Sequence, residues 1–253
     1  MKTKETPNDA RLQWRAIWEL VEAAAKGGVS PIASRNEVTY GNIKRMILAG
    51  QLGPGRKLVH EEMAGILKVS RTPVREALER LYQEGFVTRL PRRGFYVAEI
   101  TRDEAVDLYG TREALEIHAL STTLDRGPLN RSAISTLKEH ARKYEQLTQA
   151  QVLTERILAD VLFHLKLAEL SGNRYAVRML AQTFERLALK RRLEGYRYDR
   201  SQSAVAEHAN LIEALSRHEK KAAVDILRKH IRSARDALLS QLYELPEMAF
   251  DAV

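Results

Sequence analysis

Apolar residues recur along most of this chain at the three-to-four-residue spacing of helices, and β-formers bunch together only between residues 87 and 100. From Ala10 to Lys26, Trp14, Ile17, Trp18 and Val21 share one helical face, and Gly27-Gly28 ends the run. VSPIASRN after it reads as a linker. From Val38 the pattern predicts three closely spaced helices and a hairpin. Ile43, Met46 and Ile47 give the first helix its apolar face, and Gly50 with LGPG stops it. Glu61 to Leu67 forms a short second helix. In the third, Val74, Ala77, Leu78 and Leu81 stand at i, i+3, i+4 and i+7, with Pro73 in the first turn, where a missing N–H costs little. VTRL and FYVAEI then flank PRRG as a hairpin. Beyond Thr101 every segment is helical in period, with breaks near Arg126-Gly127-Pro128, Gln149, Ser171-Gly172-Asn173, Gly195 to Arg200 and His218 to Lys220, which makes six helices. The predicted fold is mainly α: an N-terminal winged helix-turn-helix followed by an all-α six-helix bundle.

Four stretches follow: an arm over 1–35, a winged helix-turn-helix over 36–100, a helical domain over 101–245 and a tail over 246–253. A length of 253 residues suits two domains with separate cores. No apolar run approaches the roughly 20 residues that span a bilayer, and MKTKETPNDARLQWR lacks a signal peptide's apolar core, so a cytoplasmic protein with no membrane partner is expected. With no cysteine, any metal must be held by His, Asp or Glu. The net charge of +8 favours a polyanionic partner, and its distribution sharpens that reading. Residues 1–100 carry 17 Lys+Arg against 11 Asp+Glu, whereas residues 101–253 carry 24 against 22.

The third helix offers Arg71, Thr72, Arg75 and Glu76 on the face opposite its apolar stripe, and a second helix joined to a first by a tight turn is the geometry that enters a major groove. An arginine near the start of such a helix can bridge O6 and N7 of guanine, and a neighbouring Ser or Thr can bind phosphate. Pro91-Arg92-Arg93-Gly94 adds two cations at a hairpin tip, which reads as a wing. A solvated helix face is the rival reading of any one of these arginines; turn, helix, basic wing and regional charge together outweigh it.

SRTPVREALERLYQEGFVTRLPRRGFYV, Ser70 to Val97, closely resembles the GntR family of bacterial regulators. That resemblance implies that Arg71, Thr72, Pro73 and Arg75 approach double-stranded DNA while Gly94 sits at the wing tip; with Ser70 and the tip cations Arg92 and Arg93 they make up the expected DNA-binding set. Some relatives place a further DNA-contacting arginine in the second helix, where this chain has Glu61 and Glu62.

Asp160 and His164, four apart, lie on one face of a single helix, and His208 and His230 fall on the last two helices. Asp plus three His suits a divalent cation and leaves positions for water or ligand, although such a pair is common by chance and distant histidines need not converge. DVLFHLKLAELSGN, EHANLIEAL and LRKH resemble the FCD ligand-binding domain of the FadR subfamily, in its VanR-like, metal-binding branch. The resemblance implies that Asp160, His164, His208 and His230 hold a divalent metal, zinc foremost with nickel, manganese or iron as alternatives, and that Arg112 and Asn173 meet the effector. His60, His118, His140 and His218 lack the pattern, and surface or packing roles are expected.

The function expected is a metabolite-responsive regulator, a repressor in its commoner mode, that binds a two-fold-related operator as a homodimer. A small carboxylate on the metal, backed by Arg112, would change DNA affinity. Three alternatives stand beside it: a metal-dependent enzyme fused to a DNA-binding domain, a constitutive DNA binder, and a purely structural ion with Arg112 paired to Glu116.

Overall fold

A computed structural model describes residues 34–194 and 198–244, so the Trp14/Trp18 arm and the tail after residue 244 lie outside the described residues. The chain divides into two compact units, the first ending at Ile100 and also taking in 188–193, the second beginning at Thr101.

The first unit is built from α1 (Arg35–Leu48), β1 (Lys57–Leu58), α2 (His60–Leu67), α3 (Arg71–Gln83), β2 (Val87–Leu90) and β3 (Gly94–Val97). Helix α1 starts three residues earlier than its apolar pattern suggests, inside the stretch read as linker. Ser34 accepts from the Glu37 backbone N–H at 3.2 Å while the Glu37 carboxylate accepts from the Ser34 N–H at 3.1 Å, and this capping box extends the helix beyond its apolar face. Along α3 the apolar stripe goes inward as its spacing demands: Val74, Ala77, Leu78 and Leu81 are buried against α1 and α2, and Arg71, Thr72, Arg75 and Glu76 are exposed. Between α2 and α3, Lys68 takes a left-handed conformation, φ 53°, which turns the chain tightly enough to set the two helices as a helix-turn-helix.

Strands β2 and β3 pair antiparallel with Leu90 opposite Gly94, and β1 pairs with the other edge of β3. The two-residue β1 is an addition to the expected hairpin. Its alternation is too short to read, but Leu58 enters the core beside Phe95 and Val97.

Six helices follow among the described residues, all in the second unit apart from 188–193: α4 (Arg102–Asp125), α5 (Arg131–Gln149), α6 (Leu153–Glu169), α7 (Arg174–Glu194), α8 (Tyr198–Ser216) and α9 (Lys220–Glu244). They break where glycine, proline and polar runs interrupt the pattern. Helix α4 packs on α6 and α9, α5 on α6 and α8, and α8 on α9. Hydrophobic side chains fill most of this interior, but Arg112, Glu116, Asp160, His164, His208 and His230 are buried with them. No described helix is long and apolar enough to cross a membrane.

Candidate metal centre and DNA-binding face

Three helices bring the predicted ligands together. Asp160 and His164 come from successive turns of α6, His208 from α8 and His230 from α9, and one ligand atom from each lies within 4.8 Å of all the others. His164 Nε2 stands 3.1 Å from His230 Nε2, and Asp160 Oδ1 is 3.6 Å from both His164 Nε2 and His208 Nε2. Donors about 2.1 Å from one ion are roughly 3 to 4 Å apart, so these separations match a shared coordination sphere. Burial pushes the His208 imidazole down to about 3, with Asp160 opposing, and drives His230 well below its ordinary value. Both rings are therefore neutral near pH 7, the form that binds a metal.

Two carboxylates stand behind the histidines. His164 Nδ1–H donates to Glu116 Oε2 at 2.6 Å, and His230 Nδ1–H donates to Glu207 Oε2 at 2.7 Å. Burial alone would raise the Glu116 carboxyl, but His164 and Arg112 beside it hold it below the usual carboxylate range. An ionised carboxylate only accepts, so each pair fixes its histidine with Nδ1 protonated and aims the Nε2 lone pair at the centre. Each carboxylate is backed in turn by an arginine: Arg112 Nε donates to Glu116 Oε1 at 2.6 Å, and Arg200 Nη2 to Glu207 Oε2 at 2.7 Å. His208 has no such relay. Among the described residues neither of its buried ring nitrogens has a hydrogen-bond partner, an expense that an ion on Nε2 would reduce. Phe163 stacks on His208 at 4.2 Å between ring centroids, Tyr144 meets its edge, and Phe184 lies under Arg112 and beside His164. These rings keep the donors in a dry, low-dielectric setting.

Arg112 is fully buried on α4, and its Nη2 lies 2.8 Å from His164 Nε2. Arg112 thus both pairs with Glu116 and reaches the quartet. Its Nη1 has no hydrogen-bond partner among the described residues. Asn173 sits at the start of α7, where its side-chain oxygen accepts from the Ala176 N–H at 3.1 Å, and none of its hydrogen bonds reaches the quartet. Glu207 and Arg200 were not foreseen. Glu207 directly precedes His208, but neighbouring helical positions point about 100° apart, so it serves His230 instead. Of the other histidines, His118 and His218 are exposed, His140 is half-buried and His60 packs edge-on against Phe95.

The first unit presents the second candidate site. Ser70 precedes α3, Pro73 is buried in its first turn, and Arg71, Thr72 and Arg75 point outward. Arg71 Nη1 is 3.0 Å from Glu61 Oε1 of α2, whereas Arg75 has no ion pair among the described residues. At the hairpin tip the Arg93 N–H donates to the Leu90 carbonyl at 3.1 Å, closing a turn with Pro91 second and a left-handed Arg92, φ 62°, third. Gly94 follows at φ 96°, a conformation that a β-carbon would strain. Arg92 and Arg93 are both exposed.

Known families match both units. The model described as bacterial regulatory proteins, gntR family, matches residues 35–97, and the FCD domain model matches 107–233. The chain belongs to the GntR family, with an FCD domain. Relatives include an HTH-type transcriptional regulator in an unstable DNA locus of Streptomyces ambofaciens, 29% identical over 83% of this chain and 87% of its own. The HTH-type transcriptional repressor GlaR of Escherichia coli is 25% identical over 76% of this chain and 90% of its own. A crystal structure of a GntR regulator from Rhodococcus shares the fold, with a TM-score of 0.69 over 82% of this chain and 99% of that one at 21% identity. This GntR-family chain is a DNA-binding transcription regulator, not an enzyme.

Proposed function

We propose that this regulator binds a two-fold-related operator as a homodimer, α3 in the major groove and the β2–β3 wing on the backbone. Its FCD domain would hold a divalent ion, zinc foremost with nickel, manganese or iron as alternatives, on Asp160, His164, His208 and His230. The carrying observation is that four buried donors from three helices lie within 4.8 Å of one another, with two of the three histidines held by carboxylates at Nδ1. The ion would supply a positively charged anchor with coordination positions left over, and a hard anionic oxygen is its natural occupant.

A small carboxylate suits this centre as effector. Arg112 Nη1 is a buried donor with no hydrogen-bond partner among the described residues and would meet that carboxylate in a charge-assisted hydrogen bond. Asn173 would contribute only its amide nitrogen, since its oxygen caps α7. Effector binding would change how the two winged units of the dimer fit their half-sites, and release of a repressed operator is the direction that the GlaR relative supports.

Metal analysis of the purified chain, followed by calorimetry with a panel of carboxylic acids on wild type, metal-stripped protein and Arg112→Ala, tests the reading. Stoichiometric metal is expected, with effector binding lost in both altered forms. No metal after supplementation, or an uncharged molecule as the releasing ligand, overturns it.

A further inference from the structure

The outward face of α3 carries two arginines, and their surroundings differ. Arg71 Nη1 is 3.0 Å from Glu61 Oε1, with the two side chains 72% and 56% exposed, so the contact stands in open solvent on the face assigned to DNA. Arg75, one turn further along, has no such partner among the described residues. On the same face the Asn36 amide of α1 donates to the Glu76 carboxylate at 2.5 Å, so a second outward side chain of α3 is tethered to a neighbouring helix. Glu62, next to Glu61, is paired with Arg56 at 2.7 Å, which leaves Glu61 to Arg71.

An arginine at such a face has two uses. It can wrap a phosphate, which carries no sequence information, or present two parallel N–H groups to O6 and N7 of guanine. Glu61 occupies Nη1 and leaves the opposite Nε–Nη2 edge open as a fork. The same fork could take a phosphate, but that would bring a second anion towards the Glu61 carboxylate, whereas a guanine edge is uncharged and is met without that repulsion. We propose that Glu61 is a specificity-determining residue of DNA binding: it holds Arg71 in the guanine-reading arrangement and withholds it from the phosphate backbone. This rests on α3 being the base-reading helix. Its consequence is weaker binding to random sequence, which widens the gap between operator and non-operator DNA.

The test uses the full chain and works whether or not the operator has been identified. Selection from a randomised duplex library defines the wild type's best site. Affinities for that site and for a random-sequence duplex are then measured across a salt series with wild type, Glu61→Gln, Glu61→Asp, Arg71→Ala and the Glu61→Gln/Arg71→Ala double variant. Glu61→Gln should tighten random-duplex binding about 3- to 10-fold and steepen its salt dependence by about one unit of slope, as one more phosphate is neutralised. Best-site affinity should change less than about 2-fold, so discrimination falls, and Glu61→Asp should keep most of it. In the Arg71→Ala background the Glu61→Gln effect on slope should vanish. The inference is overturned if Glu61→Gln leaves discrimination unchanged, weakens both duplexes equally, or acts just as strongly without Arg71, which would be a general charge effect. If Arg71→Ala itself leaves discrimination intact, the base-reading role of α3 fails, and the assignment of Glu61 falls with it.

Discussion

The two units use the same charged residue types in opposite settings. In the winged unit Arg71, Arg75, Arg92 and Arg93 are exposed, and Arg71 is tied by an exposed ion pair to Glu61. In the helical unit Arg112 and Glu116 are almost fully buried, and the charges near the centre stand in linked pairs. Exposed pairs contribute up to about 1 kcal/mol, so they bias how the first surface meets DNA without fixing its shape. Buried pairs cost several kcal/mol to break, so the second site is fixed in shape.

The largest expected effect tests that contrast directly. Glu116→Ala should destabilise the helical unit by about 3 to 5 kcal/mol, because it leaves the Arg112 guanidinium buried without its carboxylate. Glu61→Ala, which breaks an exposed pair, should cost less than about 1 kcal/mol. Chemical denaturation of the two variants makes the comparison, and equal losses would mean that burial does not set the energy of these pairs.

Next in size is the relay behind His230. Glu207→Gln keeps the shape but removes the ionised acceptor that fixes the Nδ1–H form, so divalent-metal affinity should fall about 10- to 100-fold, as measured by competition with a chelator. A smaller change at Glu207 than at exposed Glu213 would remove the relay from the account.

How much of this was legible follows from the same contrast. The stripe Val74, Ala77, Leu78, Leu81 could be read because burial imposes a period on the residues that share a face. Spacing alone offered only an Asp-x-x-x-His pair that chance also gives; the resemblance to the FCD domain joined His208 and His230 to it, and the structure brings all four together. The relays were not legible. Glu207 meets His230 across 23 positions and two helices, a distance over which one sequence has no period to show. Strand β1 was missed because two residues cannot alternate visibly. The start of α1 was legible in Ser34 and Glu37, but a cap is a hydrogen-bond signal and was masked by the apolar pattern beginning later.

A smaller effect concerns acid. Burial would raise the Glu84 carboxyl, but Lys44, the Tyr40 hydroxyl at 2.6 Å and Arg80 together hold it below its ordinary value. Its folded pKa lies below the unfolded one, so its stabilisation is present above about pH 4.3 and is lost as pH falls through the folded value. Wild type should therefore lose stability in this range relative to Glu84→Gln by about 1 kcal/mol or less, given how exposed the carboxylate is. Parallel acid-unfolding curves would show that Glu84 adds nothing.

The smallest change in stability is expected at the wing, where the change in binding should be clear. Arg92 holds a left-handed backbone, φ 62°, that costs a non-glycine residue about 1 kcal/mol. Arg92→Gly removes that strain but gives the unfolded chain extra freedom, which costs about 0.4 to 1 kcal/mol. The two nearly cancel, so thermal stability should stay within about 0.5 kcal/mol of wild type. DNA binding should not stay level: losing an exposed cation at the hairpin tip should weaken binding to specific and random duplexes alike and flatten the salt dependence by about one unit of slope. A strained arginine kept where glycine would fit equally well points to its charge as the reason for keeping it. If Arg92→Gly binds both duplexes like wild type with an unchanged slope, the hairpin tip does not touch the backbone, and the winged unit must reach DNA through α3 alone.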